Sequence, residues 1–448
     1  MKYYSTNGKA PMASLEKAVV KGLAEDRGLY MPEEIYKLPK AFFDNIASMS
    51  FQDIAYNVAS NFFGDDVDLD ALQDIVFDTL QFDCPVVEVE KNIYSLELFH
   101  GPTLAFKDVG ARFMARLLQY FINSSGKSGD TVNVLVATSG DTGSAVANGF
   151  LGVDGIHVYV LYPKGKVSPI QECQFTTLGK NITAVEVDGV FDDCQRLVKS
   201  AFMDDELNVK MRLTSANSIN VARFLPQAFY YFNAYARIKS LTPHLLTLAP
   251  EIVMCVPSGN FGNICSALFG HQMGLPISRF IAANNANDVF FNYLKTGIYE
   301  PKASVQTLAN AMDVGDPSNF ARIINLYSQN GALSPEETHA AITSLISGAT
   351  YSDEQIAQTM RQCYKDTGYV LDPHGACGYR ALKEQLREGE IGVFCETAHP
   401  AKFKEKVDAI LGADVAIPDR LAAFMRGEKQ SVALSCEFAD FKSFLLSR

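Results

Sequence analysis

A chain of 448 residues exceeds the size at which one hydrophobic core stops growing, so its length predicts two or three structural units. Hydrophobic residues make up 48% of it and charged residues 20%, a globular composition that leaves little room for long disordered tails. A formal net charge of -12 argues against nucleic acid or an anionic membrane as a partner, because both are bound by fields of lysine and arginine.

The cysteine and histidine patterns argue against further classes of protein. The nine cysteines form no C-x-x-C pair and lie mostly in apolar runs, which predicts reduced, packed thiols. The histidines show neither H-x-H nor H-E-x-x-H spacing, so we expect no metal site. Residues 1–5 lack the apolar core of a signal peptide, and no stretch approaches the ~20 apolar residues that span a bilayer. We therefore expect a cytoplasmic protein.

The predicted elements begin with a mainly helical N-terminal segment over residues 1–82, in which helical patterns alternate with turns. From residue 131 short β-branched runs alternate with helical patterns. Strands are predicted at 132–137, 156–162 and 182–187, and helices at 143–150, 171–178 and 191–202.

The alternation resumes in the second half of the chain, with strands at 252–256 and 391–395 that precede helices starting near Asn263 and Pro400. It predicts an α/β fold with two open parallel or mixed sheets flanked by helices. The predicted domains are a large one over 83–107 and 213–448 and a small α/β one over 108–212.

Open parallel sheets bind ligands at the carboxyl ends of their strands, and the sharpest turn of that kind is 257–263. Its glycines allow close approach, and its N–H groups at a helix N-terminus favour a phosphate ester without any lysine or arginine. The alternative is a plain strand-to-helix turn.

Lys107 follows the apolar run 98–106, which we interpret as the end of a strand, and precedes a predicted helix. An amine desolvated near a helix N-terminus is favoured over its ammonium, as a Schiff base requires. A lysine taken alone is far more often a solvated surface charge, so this interpretation depends on the other turns.

Three further turns carry weaker signals. The turn 137–143 offers hydroxyls and backbone donors suited to a carboxylate, although a serine- and threonine-rich N-cap is an equal alternative. Thr397 places a hydroxyl at the tip of a late strand. The motif 372–375 predicts a turn and a helix start, with no catalytic role assigned.

Together these segments resemble the threonine synthase family of pyridoxal-phosphate lyases, which has the tryptophan synthase β fold, called fold type II. Similar stretches follow one another in the family's order over nearly the whole chain. They are 14–24, 28–33, 100–108, 138–143, 162–169, 217–220, 258–263 and 397–403.

The resemblance implies that Lys107 forms the Schiff base with pyridoxal 5'-phosphate and that Thr397 faces the pyridine nitrogen. A neutral hydroxyl there supports a protonated ring less than a carboxylate does. It also implies that the cofactor phosphate is bound by the turn formed by Ser258, Gly259, Asn260, Phe261, Gly262 and Asn263.

The resemblance also implies a substrate site. Ser139, Asp141 and Thr142 correspond to the loop that grips the substrate carboxylate or flanks the ring hydroxyl, although many relatives of the wider fold have asparagine in place of Asp141. Candidates for the substrate phosphate are Lys164, Lys166 and Arg223, whose alternative roles are solvation or a structural ion pair.

The implied reaction converts O-phospho-L-homoserine and water to L-threonine and phosphate, in a monomer or homodimer that binds neither nucleic acid nor membrane. One alternative is another enzyme of the same fold, such as a serine/threonine dehydratase, a cysteine synthase or a phospholyase. Another is a catalytically silent binding protein that keeps the fold as a scaffold.

Overall fold

The computed structural model describes residues 1–124, 131–241 and 251–448. Its strands are short, and most of them are apolar. In chain order they are β1 Tyr3–Ser5, β2 Tyr30–Pro32, β3 Val86–Glu90, β4 Ile93–Glu97, β5 Val132–Ala137, β6 Ile156–Pro163, β7 Ile182–Asp188, β8 Arg212–Ser215, β9 Glu251–Pro257, β10 Arg279–Asn284, β11 Ile346–Thr350, β12 Glu390–Glu396 and β13 Val432–Ser435.

Helices connect most of these strands, and several begin at a serine or aspartate whose side chain caps the first turn. The helices of the described ranges are α1 Leu15–Lys21, α2 Lys40–Asn45, α3 Phe51–Phe63, α4 Leu69–Thr79, α5 Lys107–Ser124, α6 Asp141–Phe150, α7 Pro169–Thr176, α8 Phe191–Met203, α9 Asp205–Lys210, α10 Val221–Phe224, α11 Ala228–Leu241, α12 Gly262–Gln272, α13 Val289–Thr296, α14 Phe320–Tyr327, α15 Pro335–Leu345, α16 Asp353–Thr367, α17 Pro373–Gln385, α18 Lys404–Leu411, α19 Asp419–Met425 and α20 Phe438–Leu446.

The first of two compact units comprises 31–101 and 224–416, together with Met1. Its six-stranded sheet has the order β11-β10-β9-β12-β4-β3. The first five strands are parallel, and β3 pairs antiparallel with β4 at one edge. The central strand β12 is buried along its whole length, as expected for a parallel strand covered on both faces.

The second unit comprises 2–30, 102–223 and 417–448. Its five-stranded sheet has the order β13-β7-β6-β5-β8, and all pairs are parallel. Strand β5 is buried throughout, and helix α6 packs on β5 and β6. The two larger sheets, one mixed and one parallel, confirm the predicted fold class, and β1 and β2 form a third sheet of two strands.

The two units divide the chain differently from the predicted domains, both at its ends and at 31–82, which lies in the first unit, and at 102–107 and 213–223, which lie in the second. Residues 2–30 and 417–448 belong to the unit that contains 108–212, whereas the sequence assigned them to other segments. The physical reason for the C-terminal difference is packing. Strand β13 pairs with β7, and Phe441 and Leu445 of α20 are buried in one cluster with β5 and α8.

Local sequence patterns predicted the strands well in the region from residue 131 where strands and helices alternate. The predicted strand 132–137 coincides with β5, and the strands at 156–162 and 182–187 differ from β6 and β7 by one residue. The predicted strand end before Lys107 is wrong, because β4 ends at Glu97 and 98–106 form no regular strand. The helix predicted near Pro400 begins as a 3₁₀ turn and continues as α18.

No helix in the described ranges is both long enough and apolar enough to cross a membrane.

The first unit contains a buried ion pair. Arg279 at the start of β10 donates Nε and Nη2 to the carboxylate of Glu390 at 2.8 and 2.6 Å, and the two side chains are 13% and 3% exposed. The hydrogen bond from Arg279 lowers the pKa of Glu390, so the pair stabilises the fold above the unfolded carboxyl pKa.

We expect Arg279→Met to lower the free energy of unfolding by about 3–5 kcal/mol, because it leaves the Glu390 carboxylate buried without its partner. Urea denaturation followed by circular dichroism measures the change. As a control, Lys210→Met breaks an exposed pair with Glu206 and should cost about 0.5 kcal/mol or less. Equal effects of the two substitutions would contradict the structural role assigned to Arg279.

Candidate active site

Lys107 is the first residue of helix α5, as predicted, and its half-buried Nζ donates to Thr142 Oγ1 at 2.8 Å. The preceding loop is fixed by Asp108, whose carboxylate accepts from Thr103 N at 2.9 Å and Thr103 Oγ1 at 2.6 Å. Leu104 has a φ of 59°, in the left-handed region that side chains rarely adopt. The loop therefore bends sharply before it presents the lysine at a helix N-terminus.

The turn that leads into helix α6 is folded around Thr138. Its Oγ1 accepts from the N–H groups of Gly140 at 2.9 Å and Gly143 at 2.8 Å. Within the described ranges, neither the N–H groups of Ser139 and Thr142 nor the Ser139 hydroxyl hydrogen-bonds to any other group. These donors lie at the positive end of a ten-residue helix, where a carboxylate is favoured.

Asp141 connects this turn to helix α7. Its buried carboxylate accepts from Gln171 Nε2 at 2.9 Å. Gly140 has a φ of 147°, and a Cβ there would lie 2.6 Å from the same Nε2. Asp141 therefore has a clear role in fixing the turn, and its predicted contact with a ligand stays a prediction.

The three candidates for the substrate phosphate differ in their surroundings. Lys164 and Lys166 follow strand β6 and are exposed. Arg223 is 2% exposed and donates Nη1 to the carbonyl of Ala216. The structure therefore gives Arg223 a main-chain partner in the interior and leaves the two lysines at the surface.

In the first unit, side-chain amides hold the main-chain carbonyls of the turn after β9. Asn263 Nδ2 donates to the Pro257 carbonyl at 2.8 Å, and Asn284 Nδ2 donates to the Ser258 carbonyl at 2.9 Å. In a trans peptide the carbonyl and the following N–H point in opposite directions. The contact from Asn284 therefore turns the Gly259 N–H to the other side of the chain.

Four N–H groups of this turn are correspondingly uncommitted, whereas the Ser258 N–H donates to the Ala283 carbonyl at 2.9 Å. Those of Gly259, Phe261, Gly262 and Asn263 donate to no group in the described ranges. Phe261 precedes helix α12 without a side-chain cap, so the first turn of that helix also presents open donors. Such an arrangement is suited to an anion with several oxygen atoms.

Close packing behind the turn requires glycine at position 259. A Cβ there would lie 2.7 Å from both the Ala311 carbonyl oxygen and Met312 Cα. Phe261 has a φ of 63°, and its buried ring contacts Phe290 with a centroid distance of 4.6 Å. Tertiary contacts thus stabilise a backbone conformation that is unfavourable in isolation.

Thr397 lies at the same sheet edge as this turn. Strands β9 and β12 are neighbours, and each ends two residues after the paired residues Cys255 and Phe394. Thr397 follows β12 directly and is 5% exposed, and its hydroxyl has no hydrogen bond within the described ranges. The structure therefore brings Thr397 and the turn 258–263 to one edge, as parallel topology requires.

A buried polar cluster includes Glu396, the residue directly before Thr397. Asp372 caps helix α17, and its Oδ1 contacts His374 N and Nδ1, each at 2.6 Å. His374 Nε2 accepts from the Ala311 N–H at 3.1 Å, so Nδ1 is the nitrogen that donates to Asp372. Glu396 is fully buried and accepts from the Asp372 N–H. Burial, followed by the negative charge of Asp372, raises the pKa of Glu396 well above 4.5.

The motif 372–375 is the predicted turn and helix start, and its additional role is to support the edge that carries Thr397. Sequence reasoning missed Asn284 and Gln171, which fix the two turns. The run of asparagines at 284–287, directly after an apolar segment, was the signal for the first of them. In the described ranges, no three histidine, cysteine or acidic side chains are grouped to hold a metal ion.

Comparison with known proteins identifies the class. A family model described as pyridoxal-phosphate dependent enzyme matches residues 83–395. Models described as threonine synthase N terminus and threonine synthase, C-terminal match 2–80 and 375–445. The chain is therefore a pyridoxal-phosphate-dependent enzyme.

Relatives over the full length give the family. The threonine synthases of Escherichia coli and Haemophilus influenzae are 42% and 41% identical to this chain, with complete coverage of both chains. The crystal structure of the E. coli protein has a TM-score of 0.90 over 100% of each chain. A pyridoxal-phosphate-bound threonine synthase from Brucella melitensis is 34% identical and has a TM-score of 0.92 over 99% and 98%. The chain belongs to the threonine synthase family, and threonine synthase is its activity.

The residues present fit pyridoxal 5'-phosphate. The turn 258–263 offers open N–H donors for a phosphate dianion, Thr397 offers a neutral hydroxyl, and Lys107 offers an amine. The turn and Thr397 belong to the first unit, and Lys107 belongs to the second, together with Ser139, Asp141 and Thr142. That Lys107 reaches the aldehyde of a cofactor held by the turn stays a prediction.

We expect Glu396→Gln to become more stable relative to the parent protein as the pH rises. The raised pKa means that the folded protein binds the Glu396 proton more tightly than the unfolded chain does. The stabilisation that this tighter proton binding gives is fully present below the pKa of Glu396 in the unfolded chain. It is lost as the pH rises through the pKa of Glu396 in the folded protein. Glutamine does not ionise and keeps an oxygen for the Asp372 N–H.

Thermal unfolding at a series of pH values checks this expectation. Glu428→Gln, at an exposed carboxylate, is the control and should leave the pH profile unchanged. If Glu396→Gln follows the profile of the parent protein, the neutral state assigned to Glu396 is wrong.

Proposed function

We propose that this threonine synthase converts O-phospho-L-homoserine and water to L-threonine and phosphate, by γ-elimination of phosphate and addition of water at Cβ. The observation that carries the proposal is the hydrogen bond from Lys107 Nζ to Thr142 Oγ1. It joins an amine that can move protons to a turn whose open donors suit the carboxylate of an amino acid.

When bound, pyridoxal 5'-phosphate supplies an electron sink for the carbanion formed at Cα. Lys107 would hold the cofactor through Nζ, the turn 258–263 would bind its phosphate through main-chain N–H groups, and Thr397 would donate or accept a single neutral hydrogen bond at the pyridine nitrogen. Ser258 and Asn263 support the turn from behind, since their side chains bond to main-chain oxygens.

Lys107 carries the proton transfers. Once displaced by the substrate amine, Nζ removes the Cα proton and then helps to remove a proton from Cβ, after which phosphate leaves Cγ with its bonding electrons. One proton goes to Cγ, water then adds its oxygen at Cβ, the final proton returns to Cα, and the second proton of the water goes to the released phosphate. The overall balance is one substrate and one water to one threonine and one phosphate.

The remaining residues orient the substrate. Ser139 would bind its carboxylate through its N–H group and its hydroxyl, and Thr142 through its N–H group, with Asp141 and Gln171 holding the turn in place. Lys164, Lys166 and Arg223 remain the candidates for the leaving phosphate. Among these, the exposed lysines can move to meet an anion, whereas Arg223 is already held by the Ala216 carbonyl.

We also propose that the enzyme works in the cytoplasm, as a monomer or homodimer. All nine cysteines are free thiols, and most are buried, which is typical of proteins from reducing compartments.

The reaction is tested by supplying O-phospho-L-homoserine to the holoenzyme and assaying threonine and inorganic phosphate together. We expect equal amounts of both. Ammonia from threonine, with no reaction of the phosphorylated substrate, would indicate a dehydratase instead. Phosphate without threonine would indicate a phospholyase.

Lys107→Ala should lower threonine formation by about 10²–10⁴-fold, the usual contribution of a positioned acid–base group. Lys91→Ala, at an exposed lysine between β3 and β4, is the matched control and should keep full activity. Comparable activity of the two variants would refute the role of Lys107.

Ser139→Ala should raise the KM for O-phospho-L-homoserine by about 10-fold with little change in kcat, since it removes one hydrogen bond to a charged group that is present before and after the reaction. Ser443→Ala on the exposed face of α20 is the control. Steady-state kinetics measure both constants. A fall in kcat at unchanged KM would mean that Ser139 takes part in a proton transfer rather than in binding.

A further inference from the structure

Arg322 is a fully buried arginine that the reaction described above does not use. It lies in the first turn of helix α14, where the helix dipole disfavours a cation, and it has no exposed surface. Burial lowers its pKa to about 9, so the guanidinium is still charged at neutral pH. A charge kept in so unfavourable a place requires specific partners.

Two of the contacts of this guanidinium bear on the turn 258–263. Nη1 donates to Asn319 Oδ1 at 2.6 Å, and the guanidinium carbon lies 4.1 Å from the centroid of the Phe224 ring. The ring provides a cation–π contact on one side. The hydrogen bond fixes the Asn319 amide, because a guanidinium only donates and must therefore face the oxygen of the amide.

The other end of the Asn319 amide contacts the proposed phosphate turn. With its oxygen on Arg322, the Asn319 Nδ2 group donates to the carbonyl of Asn260 at 3.0 Å, and the Asn319 main-chain N–H donates to the same oxygen at 3.3 Å. The Asn260 side chain returns a contact, since its Oδ1 accepts from the Ser318 N–H at 2.7 Å. The carbonyl of Asn260 is thus held on the side of α14.

The direction of the Asn260 carbonyl determines the direction of the next N–H. Both groups belong to one planar trans peptide, so the Phe261 N–H points away from Asn319. That N–H donates to no group in the described ranges, and Phe261 has a φ of 63°. Arg322 therefore orients the Phe261 N–H indirectly, through the Asn319 amide and the Asn260 carbonyl.

We propose that Arg322 and Asn319 are positioning residues that aim the Phe261 N–H at the phosphate of the cofactor. The inference rests on the proposed phosphate-binding role of the turn 258–263. The buried guanidinium also adds positive potential behind a turn that has no lysine or arginine of its own.

The test compares the affinities of the protein for pyridoxal 5'-phosphate and for pyridoxal, which lacks the phosphate. Asn319→Asp keeps an oxygen for Arg322 but removes the side-chain donor to the Asn260 carbonyl, and leaves only the longer main-chain contact. It should weaken binding of the phosphorylated form about 10- to 100-fold, the size expected for a hydrogen bond to a charged group, with pyridoxal affected much less. Arg322→Met should act in the same direction.

Ile323→Ala is the matched control, because it removes buried side-chain volume from the same helix. It leaves intact the relay, by which we mean the contacts from Arg322 to Asn319 and from Asn319 to Asn260. It should change both affinities equally or not at all. The ³¹P NMR shift of the bound cofactor provides a second readout, which should move in Asn319→Asp and stay unchanged in Ile323→Ala. Equal weakening of the two ligands by Asn319→Asp, with an unmoved ³¹P signal, would overturn the proposal.

Asn284→Ala tests separately whether the turn 258–263 binds the phosphate, because Asn284 holds the neighbouring Ser258 carbonyl and forms no hydrogen bond with Asn319 or Arg322. If Asn284→Ala weakens binding of the phosphorylated form and Asn319→Asp does not, the turn binds phosphate without the relay. If neither variant discriminates between the two ligands, the turn does not bind the phosphate. None of these measurements uses O-phospho-L-homoserine, so they are independent of the substrate assignment.

Discussion

Because a trans peptide is planar, the direction of each carbonyl fixes the direction of the N–H that follows it. The turn 258–263 exploits this coupling through asparagine side chains, which hold the carbonyls of Pro257, Ser258 and Asn260 from behind. The N–H groups of Gly259 and Phe261, which follow the held carbonyls of Ser258 and Asn260, are thereby left open on the opposite side, whereas the Ser258 N–H donates to the Ala283 carbonyl at 2.9 Å. An amide is well suited to this task, since it carries a donor and an acceptor and can be oriented by a further partner.

Under the role proposed for this turn, the same constraint explains how an acidic protein can bind a phosphorylated cofactor. The net charge is -12, and the turn 258–263 contains no charged side chain. Main-chain dipoles provide the positive potential there, supported from behind by the buried Arg322. Burial also raises the pKa of Glu396, the residue before Thr397, and so favours the neutral form of its carboxyl group.

Several features could be read from local sequence. Strands such as β5 and β6 are short β-branched runs between turns, and the helix starts at Lys107 and after the turn 137–143 follow recognisable patterns. The edge strands β3, β8, β11 and β13 were missed because their apolar patterns are short, and the interior strands β4 and β10 were missed as well. Asn284 was missed because nothing in the sequence indicates which main-chain oxygen its amide will meet.

The sequence by itself determined the chemical classes of the groups: an amine at Lys107, glycine-rich turns after apolar strands, and a hydroxyl at Thr397. These depend on residue type and short-range spacing, which the chain displays directly. Tertiary structure alone decided that Asn319 and Arg322 act on Asn260, about 60 residues away along the chain, and that the Glu396 carboxyl is buried against Asp372. Such contacts depend on strand order and packing between distant segments, so local patterns contain no record of them.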